Sequence, residues 1–227
     1  MKFGILGTGI VGRTLAAKLA ECNHEVMIGT RDVATLLART TPDAWGPLPF
    51  SAWKQQHPEI QLGTFAQTAA HGEILLNATA GNVSLEVFQT IRGDDLDGKI
   101  LIDTANPLDF SHGFPPLLSI VNTDSLGEQI QRAFPTMKVV KALNTIVVEL
   151  MVNPKRLADG EHHLLVCGND TQAKAEVMSL LTNEFGWEYV LDLGDIAASR
   201  SMEMLLPINF RLWNVLHTRL LNFKIIQ

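Results

Sequence analysis

Cysteine, tyrosine and basic charge are all scarce in this sequence. Its 227 residues include two cysteines, Cys22 and Cys167, which lie far apart and match no metal-ligand spacing. A reduced, cytoplasmic compartment is the expectation, with no metal site. The formal net charge is −6, and no stripe of Lys and Arg interleaved with aromatics offsets it. That balance argues against a nucleic-acid partner. No apolar run is long enough to span a bilayer, so no membrane partner is expected. Glycines interrupt the opening "MKFGILGTG" too early for a signal peptide. The lone tyrosine, Tyr189, falls in an expected strand, which excludes a Tyr-x-x-x-Lys pair on a helix. Histidine offers no obvious acid either. His162 and His163 open a strand and point to opposite faces. His24, His57 and His71 sit beside turns and are expected in solvent; His112 follows a sheet end where it could line a pocket, but the surface is the expected place.

What remains is an apolar chain, 46% hydrophobic and 19% charged, of the kind that folds into an ordinary globular body. Short apolar runs alternate with amphipathic stretches. Strands are expected over 2–7, 24–29, 73–79, 99–106, 138–144, 162–169 and 188–194. Helices are expected over 11–21, 33–39, 64–72, 84–91, 125–134 and 172–185. A last, long apolar-rich helix carries a proline at 207. This alternation predicts an α/β fold with a mostly parallel sheet covered on both faces. Between the second helix and residue 64 lies "TPDAWGPLPF" (41–50), dense in Pro and Gly, then "SAWKQQHPEI". Residues 41–63 read as an insertion, an ordered loop and a short helix, fastened by Trp45, Phe50 and Trp53. Residues 1–227 read as one domain, with a core over about 1–145 and a strand-helix extension over about 146–227.

The first turn is Gly7-Thr8-Gly9-Ile10-Val11-Gly12, placed directly between a strand and a helix. In that context the glycines have separate tasks. Gly7 permits the tight turn, Gly9 lets a pyrophosphate approach the backbone, and Gly12 lets helix and strand pack closely. The helix N-terminus then presents free N–H groups to phosphate. The chain therefore reads as a dinucleotide binder.

The second strand ends in "GTRD". Asp32 stands 20 residues past Gly12, the usual spacing for a carboxylate on the ribose. The strand tip falls earlier, however, at Gly29-Thr30, and Asp32 directly precedes a helix that it can cap. Thr30 and Arg31 are left at the ribose, where a hydroxyl and a guanidinium suit a 2′-phosphate. NADP(H) is expected over NAD(H). At the carboxyl ends of later strands, Thr79, Ala80, Gly81, Asn106 and Pro107 are candidates for the nicotinamide half, with Asn144 behind them. The same residue types also punctuate ordinary turns, and the sequence leaves those two readings even.

The stretches "GILGTGIVG", "GTRD", "LGTFAQTAAHGEILLNAT", "KILIDTANPLDF", "NTDSLGEQIQRAFP", "KVVKALNT" and "DLGDIAASRSMEMLLPINFRLW" together resemble the coenzyme F420-dependent NADP oxidoreductases. The reductase domains of certain membrane metalloreductases are similar to that family. The resemblance covers nearly the whole chain, and the 41–63 insertion departs from it. It implies a Rossmann-type doubly wound sheet with a small C-terminal extension, assembled as a homodimer. It implies NADP(H) on Thr8 to Gly12 and on Thr30-Arg31. It also implies hydride transfer to a deazaflavin such as F420, or to a flavin, as the second substrate. Two further readings stay open: a binding module that holds NADP(H) without turnover, and a reductase of small imines or hydroxy acids. The last would want a helical lysine, whereas Lys141 lies in an expected strand. The apolar residues Leu205, Phe210, Leu212, Trp213, Leu216 and Leu220 are expected to face a partner subunit, with an intrachain core helix as the alternative, and Met204 and Leu205 are expected to reach the substrate cleft.

Overall fold

The computed structural model describes residues 1–42, 46 and 48–227. The chain begins as β1 (Lys2–Leu6), α1 (Ile10–Glu21), β2 (Glu25–Thr30), α2 (Val33–Ala38), α3 (Phe50–Gln56) and β3 (Gln61–Thr64). It continues through α4 (Phe65–His71), β4 (Ile74–Asn77), α5 (Ser84–Gln89) and β5 (Ile100–Asp103). A small hairpin of β6 (Leu108–Asp109) and β7 (Leu117–Leu118) precedes α6 (Leu126–Ala133), β8 (Lys138–Ala142) and α7 (Val148–Met151). The last part holds β9 (Leu164–Gly168), α8 (Thr171–Asn183), β10 (Val190–Asp192), α9 (Ser199–Met204) and α10 (Leu206–Leu216).

Eight strands form one sheet in the order β10-β9-β8-β5-β4-β1-β2-β3. From β3 to β8 every pairing is parallel, and β9 runs antiparallel to β8. The strand order reverses between β1 and β4, the switch point where doubly wound sheets open a crevice for ligands. The mostly parallel α/β architecture expected from the sequence is the one observed.

Side chains alternate across the two faces, as the pleat requires. Phe3, Ile5, Ile28, Leu76, Ile102 and Val140 face a core shared with α1 and α8. Leu6, Leu75, Leu101, Val139 and Cys167 face the other, with Phe88, Ile130 and Met202. Both faces are covered, so the strands read as continuous apolar runs. Each fully buried large side chain, Phe3 for instance, contributes about 1.5–3 kcal/mol. Local signals agree with this layering. Thr64 and Gln67 close a capping box on α4, and Ser125 accepts from the Glu128 N–H at the start of α6.

Four expectations are corrected. Residues 61–63 do not belong to an inserted loop and helix, because Gln61–Thr64 is the outer strand of the sheet, paired with β2. Phe50 is buried and stacks on Trp53 at 5.4 Å, while Trp45 lies outside the described residues. The long final helix is two helices, because Pro207 sits in the first turn of α10, where its missing N–H costs nothing. His217, at φ 51°, ends α10 in a left-handed turn, and the chain then runs on without helix. Phe210 is buried and Leu220 packs on the main core, so neither is free to face a partner. His24, expected in solvent, instead bonds Glu184 at 2.6 Å and is largely covered.

Candidate functional site

The glycine turn is built as its sequence requires. Gly7 has φ +118°, and a Cβ there would lie 2.3 Å from the Ala78 carbonyl oxygen. A Cβ on Gly12 would lie 2.1 Å from the Gly7 carbonyl oxygen, so helix and turn touch backbone to backbone. Gly9 differs, since nothing lies within 4 Å of where its Cβ would stand. It is the N-cap of α1, with no side-chain cap bond and no acidic residue in the first turn. The first N–H groups of α1 therefore face a cradle that an anion can fill. Arg13, which sequence reasoning passed over, stiffens this turn. It is buried, donates from Nε to the Thr8 carbonyl at 2.8 Å and from Nη1 to the Leu48 carbonyl at 2.7 Å, and lies over the Phe50 ring.

Thr30 is the last residue of β2, and Arg31 follows it, exposed. Asp32 caps α2: its Oδ1 accepts the Thr35 N–H at 2.7 Å, and that bond holds its carboxyl below the ordinary range. Its charge is thus spent on the helix end. Arg31 borders a recess of about 220 Å³ with Thr64, Phe65 and Glu86.

On the other side of the glycine turn, a cleft of about 590 Å³ opens at the carboxyl ends of β4 and β5. Val11, Thr79, Ala80, Gly81 and Asn106 line it, with Asp109 and Ser119 from the hairpin that follows β5. Pro107 is buried behind the wall, where its carbonyl accepts the Ser119 N–H at 2.8 Å. Asn106 and Asn144 are bonded twice, from Asn106 Nδ2 to the Asn144 carbonyl at 2.8 Å and from Asn144 Nδ2 to Asn106 Oδ1 at 2.9 Å. Met204 does not reach this cleft, contrary to expectation. It lines a neighbouring groove with Leu117, Val121, Pro207 and Arg211. His112 is exposed in the hairpin turn. A larger groove of about 670 Å³ starts beside the cradle at Ile10 and Arg13 and runs down the outer flank of α1 past Thr14, Lys18, Trp53 and Phe185.

Beneath the cleft, the sheet carries a row of polar side chains. Asn77, Asp103 and Lys141 are direct partners on β4, β5 and β8, all on the face that packs against α6 and α9. Lys141 Nζ donates to Asp103 Oδ2 at 2.8 Å and to the Ala105 carbonyl at 2.6 Å, and pairs with Glu203 Oε1 at 2.8 Å. Burial works against the ammonium, but the two carboxylates outweigh it and hold Lys141 above its ordinary range. Burial pushes Glu203 up as well, while its oxygens accept the Leu126 and Gly127 N–H groups at the start of α6. Asn77 carries the row into the cleft, donating to Asp103 Oδ1 at 2.9 Å and accepting from the Thr79 hydroxyl at 2.7 Å. One lysine thus braces the two loops that form the cleft wall. Part of the signal was available in sequence: Asn77, Asp103 and Lys141 each hold a buried-phase position in an apolar strand.

The chain as a whole is similar to known proteins. The family model for coenzyme F420-dependent NADP oxidoreductases matches residues 2–107. A crystal structure from Arthrobacter sp. FB24, provisionally named an F420-dependent NADP reductase, is 54% identical, with a TM-score of 0.94 over 100% of both chains. The chain belongs to the F420-dependent NADP oxidoreductase family. The F420-dependent NADP reductase of Methanocaldococcus jannaschii is 29% identical to it over 217 residues, 92% of this chain and 90% of that one. Rat metalloreductase STEAP3 is 29% identical over 206 residues, but this chain spans only 36% of its length. Among the described residues no helix is long and apolar enough to cross a membrane. As a member of this family, the protein is an NADP-dependent oxidoreductase.

Proposed function

We propose that the protein passes hydride between NADPH and a flat conjugated acceptor of the deazaflavin or flavin type. The observation that carries this reading is the poverty of the cleft in acids. Asp109 is the one ionisable residue lining it among the described residues. The Ser111 N–H, 2.8 Å from Asp109 Oδ1, holds that carboxyl below its ordinary range, so it is a poor proton donor at neutral pH. Carbonyl or imine reduction calls for a positioned acid. Lys141 does not fill that role, because it is fully buried and held by two carboxylates and a carbonyl.

The cradle at Thr8, Gly9, Ile10, Val11 and Gly12 suits the pyrophosphate, and Thr30 with Arg31 suits the 2′-phosphate. Thr79, Ala80, Gly81 and Asn106 would border the nicotinamide half, with Pro107 supporting them from behind. When bound, the nicotinamide supplies the hydride chemistry itself. The protein's part is to orient two planes and exclude water, which small, uncharged walls do well.

The test is NADPH oxidation with a panel of acceptors: F420, FMN, FAD, quinones and ferric chelates. Turnover with a deazaflavin or flavin supports the reading. Tight NADPH binding with no turnover on any acceptor would favour a cofactor-holding module instead. His112→Ala should change the rate only modestly. A loss of about four orders of magnitude would mean general-acid catalysis and another substrate class.

A further inference from the structure

We propose that Glu86 is a specificity-determining residue: it competes with the 2′-phosphate for Arg31 and so narrows the preference for NADP(H) over NAD(H). This rests on the reading of Arg31 as the phosphate partner. The two side chains face each other across the recess at the tip of β2, Arg31 Nη2 lying 3.8 Å from Glu86 Oε1. The remaining lining residues of that recess, including Thr64, Phe65, Val87 and Thr90, carry no charge. Arg31 and Glu86 therefore set its electrostatics between them.

The distance shows that Arg31 is not committed to this pair. At 3.8 Å the contact is longer than a hydrogen bond, and the side chains are 75% and 68% exposed. A phosphate that reaches Arg31 gains a charge-assisted bond, but it brings about −1.5 to −2 charges beside an existing carboxylate. A ribose 2′-hydroxyl brings no charge and can donate to that carboxylate. Glu86 thus opposes one cofactor and leaves the other unhindered. Solvent exposure keeps the effect small, about two- to fivefold in affinity.

Dissociation constants for NADPH and NADH, read by nicotinamide fluorescence, test this in Glu86→Gln, Arg31→Ala and the double variant. Glu86→Gln is an isosteric change at an exposed position and leaves the fold intact. NADPH should bind about two- to fivefold more tightly to Glu86→Gln, and NADH within about twofold of the parent. The gain should shrink at high ionic strength, and the part of it that comes from freeing Arg31 should be lost when Arg31 is also removed. An unchanged NADPH affinity, or equal tightening of both cofactors, overturns the proposal while leaving the cofactor site standing, provided Arg31→Ala weakens NADPH selectively. If Arg31→Ala shows no such selectivity, the proposal and the reading of Arg31 fall together.

Discussion

Lys141 Nζ and Glu203 Oε1 lie 2.8 Å apart in the interior, with neither side chain more than 1% exposed, and Asp103 completes the triad from the neighbouring strand. Removing the cation alone strands two buried carboxylates. Lys141→Met should cost about 3–5 kcal/mol in urea unfolding. Glu203→Gln in the Lys141→Met background should recover part of that loss, since it removes one of the uncompensated charges. A cost below about 1 kcal/mol for Lys141→Met would show that the row is not charged in the folded state.

Arg31→Ala should weaken NADPH about ten- to hundredfold, the loss of one charge-assisted contact to phosphate. NADH binding should hardly move. Equal losses for both cofactors would remove Arg31 from the phosphate site.

Acid should loosen the fold through Asp124. Its bidentate pairing with Arg132, at 3.0 and 2.8 Å, draws the carboxyl down from 3.8 to about 2. A carboxyl depressed by folding stabilises fully above its unfolded value, and that contribution is lost as pH falls through the folded one. The window is therefore about pH 4 to 2. Because Arg132 is 59% exposed, solvent screening limits the contribution to about 1 kcal/mol. Asp124→Asn should flatten stability against pH across that window, and an unchanged slope would exclude the pair as its source.

The two thiols should differ sharply. Cys167 is fully buried, and burial pushes its thiol up to about 12, so it should resist alkylation in the native protein. Cys22 is half-buried and also raised by burial, so it should label slowly, with both reacting in denaturant. Rapid native labelling of Cys167 would contradict the packing of β9 against the α9 side of the sheet.

A homodimer remains a proposal, and the structure narrows where to test it. Ile208, Val215 and Leu216 on α10 and Leu117 and Val121 near the hairpin are apolar and exposed, Val215 at 73%. Leu117 and Val121 share one groove with Met204 and Pro207, and exposed apolar residues grouped in this way mark interaction surfaces. Light scattering at micromolar concentration should report a dimer, and Val215→Asp should shift it toward monomer. A monomeric parent protein ends the idea.

Most of the N-terminal half was legible in the sequence, because strand-turn-helix passages such as residues 2–21 carry period, glycine and cap signals together. The strand over Gln61–Thr64 was not. It is short, lies at the sheet edge, and offers only Leu62 as a large apolar residue. The break before Pro207 was visible as a proline but not as two helices, since a proline in a first turn resembles one that kinks a longer helix. For the candidate site, Asp32's role as a cap followed from its place in the chain, and the cleft residues from the strand ends. Glu203 was out of reach, because its partners Lys141 and Leu126 come together only through packing of α9.

The reversal of β9 has a structural corollary. β9 and β10 run against the parallel strands and leave the sheet at its far end, so the chain regains the cleft end only through α9 and α10. There Asn209 donates to the Thr145 carbonyl and Phe210 meets Phe114 of the hairpin turn edge to face. The surfaces beyond the nucleotide cradle are therefore drawn from two detachable stretches, the hairpin after β5 and the helix α10. Changes in those two stretches can reshape the surface beyond the cradle without touching the strand ends that the proposed function assigns to the dinucleotide.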